Sequence, residues 1–261
     1  LCVDSDGRWL TVPEEESAWL QKLMELPEGA YWAIGPAESA AEPQTDTAAA
    51  QKDARLVTAG TLEELAELRP DYVSVTCGAG GSGNRRTAEI AGMIGGEFGI
   101  EPLAHLTCIN SSAEDVERSL AELKAAGITN ILTLRGDRVP GAEESGDFAH
   151  ASDLAAFVMA RGDFDLGGAC YPECHPESAS PEEDVENLKK KIDAGVTHLN
   201  SQLFFDNDDF YRFLDRLAAA GITVPVQAGI MPLVKKSHVD KTVGLSGAKL
   251  PGKISRMIAR F

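Results

Sequence analysis

The sequence of 261 residues predicts an α/β fold on a parallel sheet, and it favours a (β/α)8 TIM barrel over an open doubly wound sheet. Apolar runs alternate with amphipathic helical patterns at roughly thirty-residue spacing, which is typical of strands joined by crossover helices. Nearly every predicted strand also ends in polar side chains, as at Thr76, His105 and Arg135. Polar groups on many strand ends indicate the carboxyl face of a barrel, because an open sheet gathers them mainly at one switch point.

The predicted strands are short apolar or β-branched runs bounded by turn residues. In chain order they are Tyr31–Ile34, Tyr72–Cys77, Leu103–Cys108, Ile131–Leu134, Leu166–Tyr171, His198–Phe205 and Val224–Met231. The predicted helices have apolar residues at helical spacing, and several have a capping residue or proline at the start and glycine after the end. They are Glu14–Leu26, Thr61–Leu68, Arg86–Gly95, Ser112–Ala126, Ser152–Ala160, Pro181–Ala194, Asp208–Ala220 and Ser237–Leu245. Residues 1–50 are thus predicted to be an atypical N-terminal segment, a helix plus a linker, and residues 51–261 the barrel domain.

Charge and composition exclude several classes of partner. A formal net charge of −17 argues against nucleic acid or an anionic membrane, because those partners require clustered Lys and Arg. The five cysteines are an odd number without regular spacing, which favours free thiols in a reducing compartment, and the sequence shows no signal peptide or membrane span. A cytoplasmic protein is expected. Cys170, Cys174 and His175 lack the usual spacing of a metal site, so no metal is predicted.

The glycine-rich loop Gly78–Gly83 satisfies the bare G-x-G-x-x-G pattern of dinucleotide-binding folds. That fold requires an acid at the end of the next strand, and the run that ends at Asn110 has none. The glycines are therefore interpreted as a tight loop. The sequence also lacks G-x-S-x-G, P-loop and H-E-x-x-H motifs, so a cofactor is expected to carry the chemistry.

Three groups of residues are candidates for that chemistry. Arg135 and Asp137 follow a buried strand directly, and Tyr171–Glu177 places an aromatic ring, two acids and a histidine between prolines. A third group shares one helical face, which is either solvated or binds an anionic cofactor: Asp184, Asn187, Lys190 and Lys191. His105 is either a core histidine or a rim residue.

An ordered series of motifs then resembles the methylenetetrahydrofolate reductase family. They are Val73–Thr76, Gly78–Ser82, Ala104–Cys108, Leu134–Asp137, Tyr171–Glu173, His175–Glu177, Lys191–Gly195, Gln202–Asp206 and Gly229–Pro232. The variants Gly146–Phe148, Gly168–Tyr171 and Asp206–Asn207 are most similar to a bacterial, acetogen-like branch.

The resemblance implies a TIM-barrel flavoprotein of one-carbon metabolism. In that family NAD(P)H reduces FAD, and the reduced flavin then passes hydride to 5,10-methylenetetrahydrofolate, giving 5-methyltetrahydrofolate. Residues at matching positions would line the flavin: Thr76, His105, Arg135, Gly136, His150, Ala151, Tyr171 and His175. The adenosine and pyrophosphate would be held by Asp184, Asn187, Lys190 and Lys191. Asp137 would lie beside the flavin ring and the folate, and Gln202 would hydrogen-bond the pterin.

The chain departs from the family pattern at both ends of the barrel. The family's first strand ends in a Phe-Glu-Phe-Phe-Pro-Pro-Lys type motif whose Glu opens the folate ring, whereas the aligned stretch here runs from Thr45 to Asp53. Asp46 is the acid in register, and Tyr31–Glu38 is a rival first strand. An eighth strand is absent up to Phe261, so the sequence predicts a fragment, or a gap covered by a partner or by residues 1–50.

These departures leave two functions besides the reductase itself. One is an FAD-binding partner subunit or pseudoenzyme with impaired folate turnover, and the other is a barrel with different chemistry. A homo-oligomer or a second reductase subunit is the expected protein partner.

Overall fold

The structure is a computed structural model that describes residues 32–34, 62–63, 65–76, 84–138, 145–231 and 248–258. The chain divides into two compact units. The first unit contains residues 1–105 and 117–129, and the second contains residues 106–116 and 130–261. Within the described ranges, no helix combines the length and the apolar character needed to cross a membrane.

The first unit is built on parallel strands that follow one another in chain order. Its described elements are β1 (Trp32–Ile34), β2 (Tyr72–Val75), α1 (Asn84–Phe98), the start of β3 (Glu101–Thr107) and the end of α2 (Ala113–Ala125). Trp32 pairs with Val73, and Tyr72 pairs with Glu101. Val73 and Leu103 are buried, because these short strands place apolar side chains into the core.

The second unit continues the same alternation of strand and helix. Its elements are β4 (Asn130–Leu134), α3 (Ala151–Met159), β5 (Asp165–Cys170), α4 (Pro181–Asp193), β6 (Val196–Ser201), α5 (Asn207–Ala219), β7 (Val226–Gln227) and α6 (Gly252–Ile258). The four strands β4 to β7 lie side by side in chain order and are parallel. Ile131, Leu166 and Leu199 are fully buried at the centre of these strands. The predicted parallel α/β fold is confirmed, and the count of eight strands stays a prediction.

The boundaries of α4 show how local sequence fixes the elements around the candidate site. Ser180 is the N-cap, and its hydroxyl accepts a hydrogen bond from Glu183 N at 3.2 Å. Pro181 occupies the first turn, where its missing N–H costs nothing. Gly195 follows the helix with φ of +112°, a conformation that favours glycine. The helix therefore begins and ends close to the predicted residues.

Some predicted elements differ from the structure. β6 ends at Ser201 and not at Phe205, because Asp206 caps α5 and the preceding residues form the turn. β7 has two residues and not the predicted run to Met231. The helix α6 was not predicted, since its short sequence has little apolar periodicity. The predicted helices 14–26 and 237–245, and the linker after residue 38, lie outside the described residues.

Candidate active site

The loop after β4 places an arginine and an aspartate on either side of a required glycine. Gly136 has φ of +95°, and a Cβ built there would lie 2.6 Å from Ile109 Cγ2. A larger residue would have to strain the backbone and displace Ile109. Glycine therefore fixes how the chain presents Arg135 and Asp137 beyond the strand end.

Arg135 and Glu177 form a bidentate ion pair that connects the loop after β4 to the loop after β5. The distance from Arg135 Nη1 to Glu177 Oε2 is 2.6 Å, and that from Nη2 to Oε1 is 2.7 Å. Arg138 Nη1 lies 3.2 Å from Glu177 Oε2. Hydrogen bonding by Arg135 is the main reason that the pKa of Glu177 falls to about 2. The carboxylate is thus ionised throughout the physiological range.

His175 is held as a neutral imidazole with a defined tautomer. Glu177 N donates a hydrogen bond to His175 Nδ1 at 3.1 Å, so the ring proton lies on Nε2. Burial lowers the pKa of His175, against the opposing effect of Asp184. The ring packs edge-on against Tyr171 with centroids 4.6 Å apart. The pair forms a small aromatic surface at the end of β5.

Tyr171 is a protonated phenol that lies near two carboxylates. Burial raises the pKa of Tyr171, and Asp137 and Asp184 raise it further. Asp137 is an exposed carboxylate in the loop after β4. Tyr171 therefore keeps its proton and can donate a hydrogen bond.

The helix α4 carries a buried acid, Asp184, and a half-buried cation, Lys191. Asp184 accepts hydrogen bonds from His175 N and Ser178 Oγ, both at 3.1 Å, and it is 8% exposed. Lys191 Nζ donates to Ala169 O at 2.8 Å. Burial lowers the pKa of Lys191, while Asp184 counteracts this effect. A cation in such a place is costly unless an anion compensates it.

Of the other two residues predicted on this helix, Asn187 is half-buried. Lys190 is exposed, and its Nζ donates to Asn187 Oδ1 at 2.9 Å. The four residues predicted to share one face of α4 thus differ in exposure, since Asp184 is buried, Lys191 is half-buried and Lys190 is exposed.

A cavity of about 300 Å³ lies between the loops that follow β3 and β4 and the approach to α3. Its lining residues are Ile109, Asn110, Arg135, Gly146, Asp147, Phe148 and Ala149. His150 and Ala151 come next in the chain, and His150 N donates to Asp153 Oδ2 at 2.9 Å. Ala151 is buried and His150 is exposed at the start of α3.

The first unit contains two predicted site residues, which follow β2 and lie within β3. Thr76 Oγ1 is buried and has no hydrogen-bond partner among the residues that the structure describes. Burial lowers the pKa of His105 to about 4, so its imidazole is neutral at physiological pH. Both side chains can therefore meet a ligand as neutral polar groups.

Residues 50–261 match the family model described as methylenetetrahydrofolate reductase. The chain belongs to the methylenetetrahydrofolate reductase family. The match covers the β4 and β5 loops and α4, where the residues above converge. The resemblance seen in the sequence motifs is confirmed at the level of the family.

Named relatives come from bacteria and plants. The 5,10-methylenetetrahydrofolate reductase of Escherichia coli (strain K12) is 36% identical over 197 residues, which cover 76% of this chain and 66% of that protein. The protein of the same name from Pectobacterium carotovorum subsp. carotovorum is 37% identical, with coverage of 76% and 65%. A probable methylenetetrahydrofolate reductase (NADH) of Oryza sativa subsp. japonica is 37% identical over 209 residues, covering 74% of this chain and 35% of that protein. The chain therefore spans just under two thirds of the length of these bacterial relatives, and the acetogen-like branch stays a prediction.

Besides Asp137, Gln202 and Asp46 are the residues predicted to act on the folate of a methylenetetrahydrofolate reductase. Gln202 follows β6, where its backbone N donates to Cys170 O at 2.7 Å and its Oε1 accepts from Leu203 N at 2.9 Å. The side chain is half-buried beside the end of β5. Asp46 lies outside the described residues.

Cysteine chemistry is disfavoured at this site. Burial raises the pKa of Cys170 to about 12 and that of Cys108 to about 11, so both remain protonated thiols. No cluster of three His, Cys, Asp or Glu side chains suited to a metal ion occurs within the described ranges.

Sequence reasoning missed the contacts that hold the β5 loop in place. Arg216 of α5 donates to Pro172 O at 2.9 Å, and the Glu173 carboxylate accepts from Lys249 N at 2.9 and 3.1 Å. The partners are 44 and 76 residues apart, so no periodic pattern connects them. The role of Glu177 was missed as well, although an acid two residues after His175 between prolines was a usable signal.

Proposed function

We propose that this chain reduces 5,10-methylenetetrahydrofolate to 5-methyltetrahydrofolate with electrons from NAD(P)H and with FAD as its cofactor. The observation that carries the proposal is the cluster of Arg135, Tyr171, His175 and Lys191 near the carboxyl ends of β4 and β5. This end of parallel strands is where α/β folds bind ligands. Family membership supports the choice of these ligands. An eight-stranded barrel is part of the same proposal.

The residues present fit FAD. The orphaned hydroxyl of Thr76 needs a hydrogen-bond partner, which a polar ligand atom would supply. The half-buried Lys191 ammonium suits an anionic pyrophosphate, and Asp184 and Asn187 on the same helix are proposed to hold the adenosine. FAD, when bound, would take a hydride from NAD(P)H and pass it to the folate in a ping-pong sequence.

Neutral polar side chains at the strand ends would orient the cofactor. His105 and His175 remain neutral, so they can donate or accept hydrogen bonds without adding charge. Tyr171 keeps its phenolic proton and contributes an aromatic edge. Gly136, His150 and Ala151 would complete the proposed flavin surface, with Lys190 beside the adenosine.

Three residues are proposed to act on the folate. Asp137 is exposed at the end of β4, where its negative charge would favour a cationic iminium form of the substrate. Gln202 has a side-chain amide that can hydrogen-bond the pterin edge. Asp46 would replace the family's ring-opening Glu, one methylene shorter.

The altered first-strand motif favours a second candidate function. Thr45 to Asp53 lacks the aromatic residues and both prolines of the family motif. An FAD-binding partner subunit with impaired folate turnover would tolerate that loss. In either role the chain would act in the cytoplasm, as a homo-oligomer or with a second reductase subunit.

Two assays separate these candidates. The purified chain is first titrated with FAD, and visible absorbance and flavin fluorescence report binding. The FAD-loaded protein is then assayed for NAD(P)H oxidation with an artificial acceptor and with methylenetetrahydrofolate. Turnover of both acceptors supports the reductase, and turnover of the artificial acceptor alone supports the partner subunit. A chain that binds no FAD contradicts both.

Asp137→Asn tests the proposed folate residue. Loss of the charge should lower folate turnover by about a hundredfold, at the lower end of the range for removing one electrostatic group from a catalytic site. Asp193→Asn, an exposed acid at the end of α4, is the matched control and should leave turnover unchanged. Equal turnover in the two variants would remove Asp137 from the proposed mechanism.

A further inference from the structure

Glu177 connects two rim loops through two short hydrogen bonds to one guanidinium. Arg135 is 18% exposed at its side chain, whereas Glu177 is 40% exposed. Both carboxylate oxygens are used, one on each terminal nitrogen of Arg135. This bidentate geometry fixes the plane of the guanidinium as well as its position. Arg135 Nε also donates to Gly136 O at 3.3 Å, which adds a third restraint.

Arg135 lines the cavity of about 300 Å³ between the β3, β4 and α3 loops. A long arginine side chain has many rotamers, and ordering one at a ligand site costs free energy at the time of binding. A carboxylate that orders the guanidinium beforehand removes that cost. The ionised state of Glu177 is maintained far below physiological pH.

We propose that Glu177 is the positioning residue for Arg135, and that it pre-orders the guanidinium to hold the polar part of FAD. The inference rests on the proposed function, because it concerns the same cofactor. Glu177 acts through Arg135 and is not itself a ligand for the cofactor. Its negative charge alone would oppose binding of an anionic molecule, so geometry and charge predict opposite results when the carboxylate is removed.

Arg138 is the second cation on Glu177, and it must be distinguished from Arg135. Its Nη1 lies 3.2 Å from one carboxylate oxygen of Glu177, and its side chain is 50% exposed. A single exposed ion pair contributes little free energy. Arg138→Gln should therefore weaken FAD binding by less than about twofold, which is the scale of such a pair.

The test is a double-mutant cycle on the dissociation constant for FAD in the full chain. The variants are Glu177→Gln, Arg135→Lys and the two combined, with FAD fluorescence as the readout. Glu177→Asp keeps the charge and shortens the reach. Glu186→Gln is the matched control, because Glu186 forms an exposed ion pair with Lys189 on α4 at 3.2 Å. Thermal melts of the FAD-free proteins check that each variant folds.

We expect Glu177→Gln to weaken FAD binding on the order of tenfold, with Glu177→Asp recovering part of that loss. In the Arg135→Lys background, Glu177→Gln should change the dissociation constant by less than about twofold, because residue 135 then has no guanidinium for Glu177 to orient. Glu186→Gln should match the wild type. A purely structural role for Glu177 would weaken binding equally in both backgrounds.

Several results overturn the proposal. Unchanged or tighter FAD binding by Glu177→Gln shows that charge outweighs positioning, and equal losses in both backgrounds show that Glu177 does not act through Arg135. If Glu177→Gln does not fold, Glu177→Asp must still lose affinity in the wild-type background and not in the Arg135→Lys background. Wild-type protein that binds no FAD overturns the proposed function together with this inference, whereas the other results overturn the inference alone.

Discussion

Gly136→Ala should destabilise the chain by about 2 to 5 kcal/mol. The residue has φ of +95°, and an L-residue in the left-handed region loses roughly 1–2 kcal/mol. The new methyl would lie 2.6 Å from Ile109 Cγ2, and overpacking of this kind costs about 1–3 kcal/mol more. The variant should also weaken FAD binding, because Arg135 and Asp137 flank the displaced residue.

Urea unfolding followed by circular dichroism measures this effect as a change in midpoint at constant slope. Gly127→Ala is the control, since Gly127 has φ of +76° but nothing within 4 Å of the added Cβ. It should lose only the backbone contribution, roughly 1–2 kcal/mol. If Gly136→Ala is no less stable than Gly127→Ala, then the close approach of Ile109 does not constrain the β4 loop.

Three further predictions follow from the same residues. Lys191→Met should weaken FAD binding by about tenfold, measured by fluorescence, while the exposed Lys189→Met changes it less than about twofold. The pKa of His105 is lowered to about 4, so the unfolded chain binds a proton more readily than the folded chain between pH 6.5 and pH 4. The free energy of unfolding should therefore fall as the pH is lowered from 6.5 towards 4. His105→Leu should remove about 3 kcal/mol of this pH dependence, measured by urea titrations at each pH. Ser180→Ala should cost about 1 kcal/mol by the loss of the cap on α4, and an unchanged midpoint would contradict that role.

Local signals predicted most elements of the fold. Pro181 and Gly195 bracket α4, and the apolar β-branched run before Arg135 is β4, because these features depend on a few neighbouring residues. β7 was predicted too long, since an apolar run alone does not show where pairing with β6 stops. The helix α6 was not predicted, because its short sequence has no periodic apolar face.

The candidate site was predictable as a set of residues and not as a set of contacts. Strand-end position selected Arg135 and Tyr171, because polar groups at such positions are poorly suited to packing, whereas helical spacing and motif order selected Lys191. The partner of Arg135 is 42 residues away in the chain, and no spacing rule connects the two. The hydrogen bond from Lys191 to Ala169 O depends on the register of α4, which only the folded chain reveals.

The most direct measurement is the formation of 5-methyltetrahydrofolate by the FAD-loaded chain. The protein is incubated anaerobically with NAD(P)H and methylenetetrahydrofolate, and the folates are separated by chromatography. We expect product only when FAD is present, in an amount equal to the NAD(P)H consumed. FAD binding and NAD(P)H oxidation without any 5-methyltetrahydrofolate would contradict the proposed reductase activity.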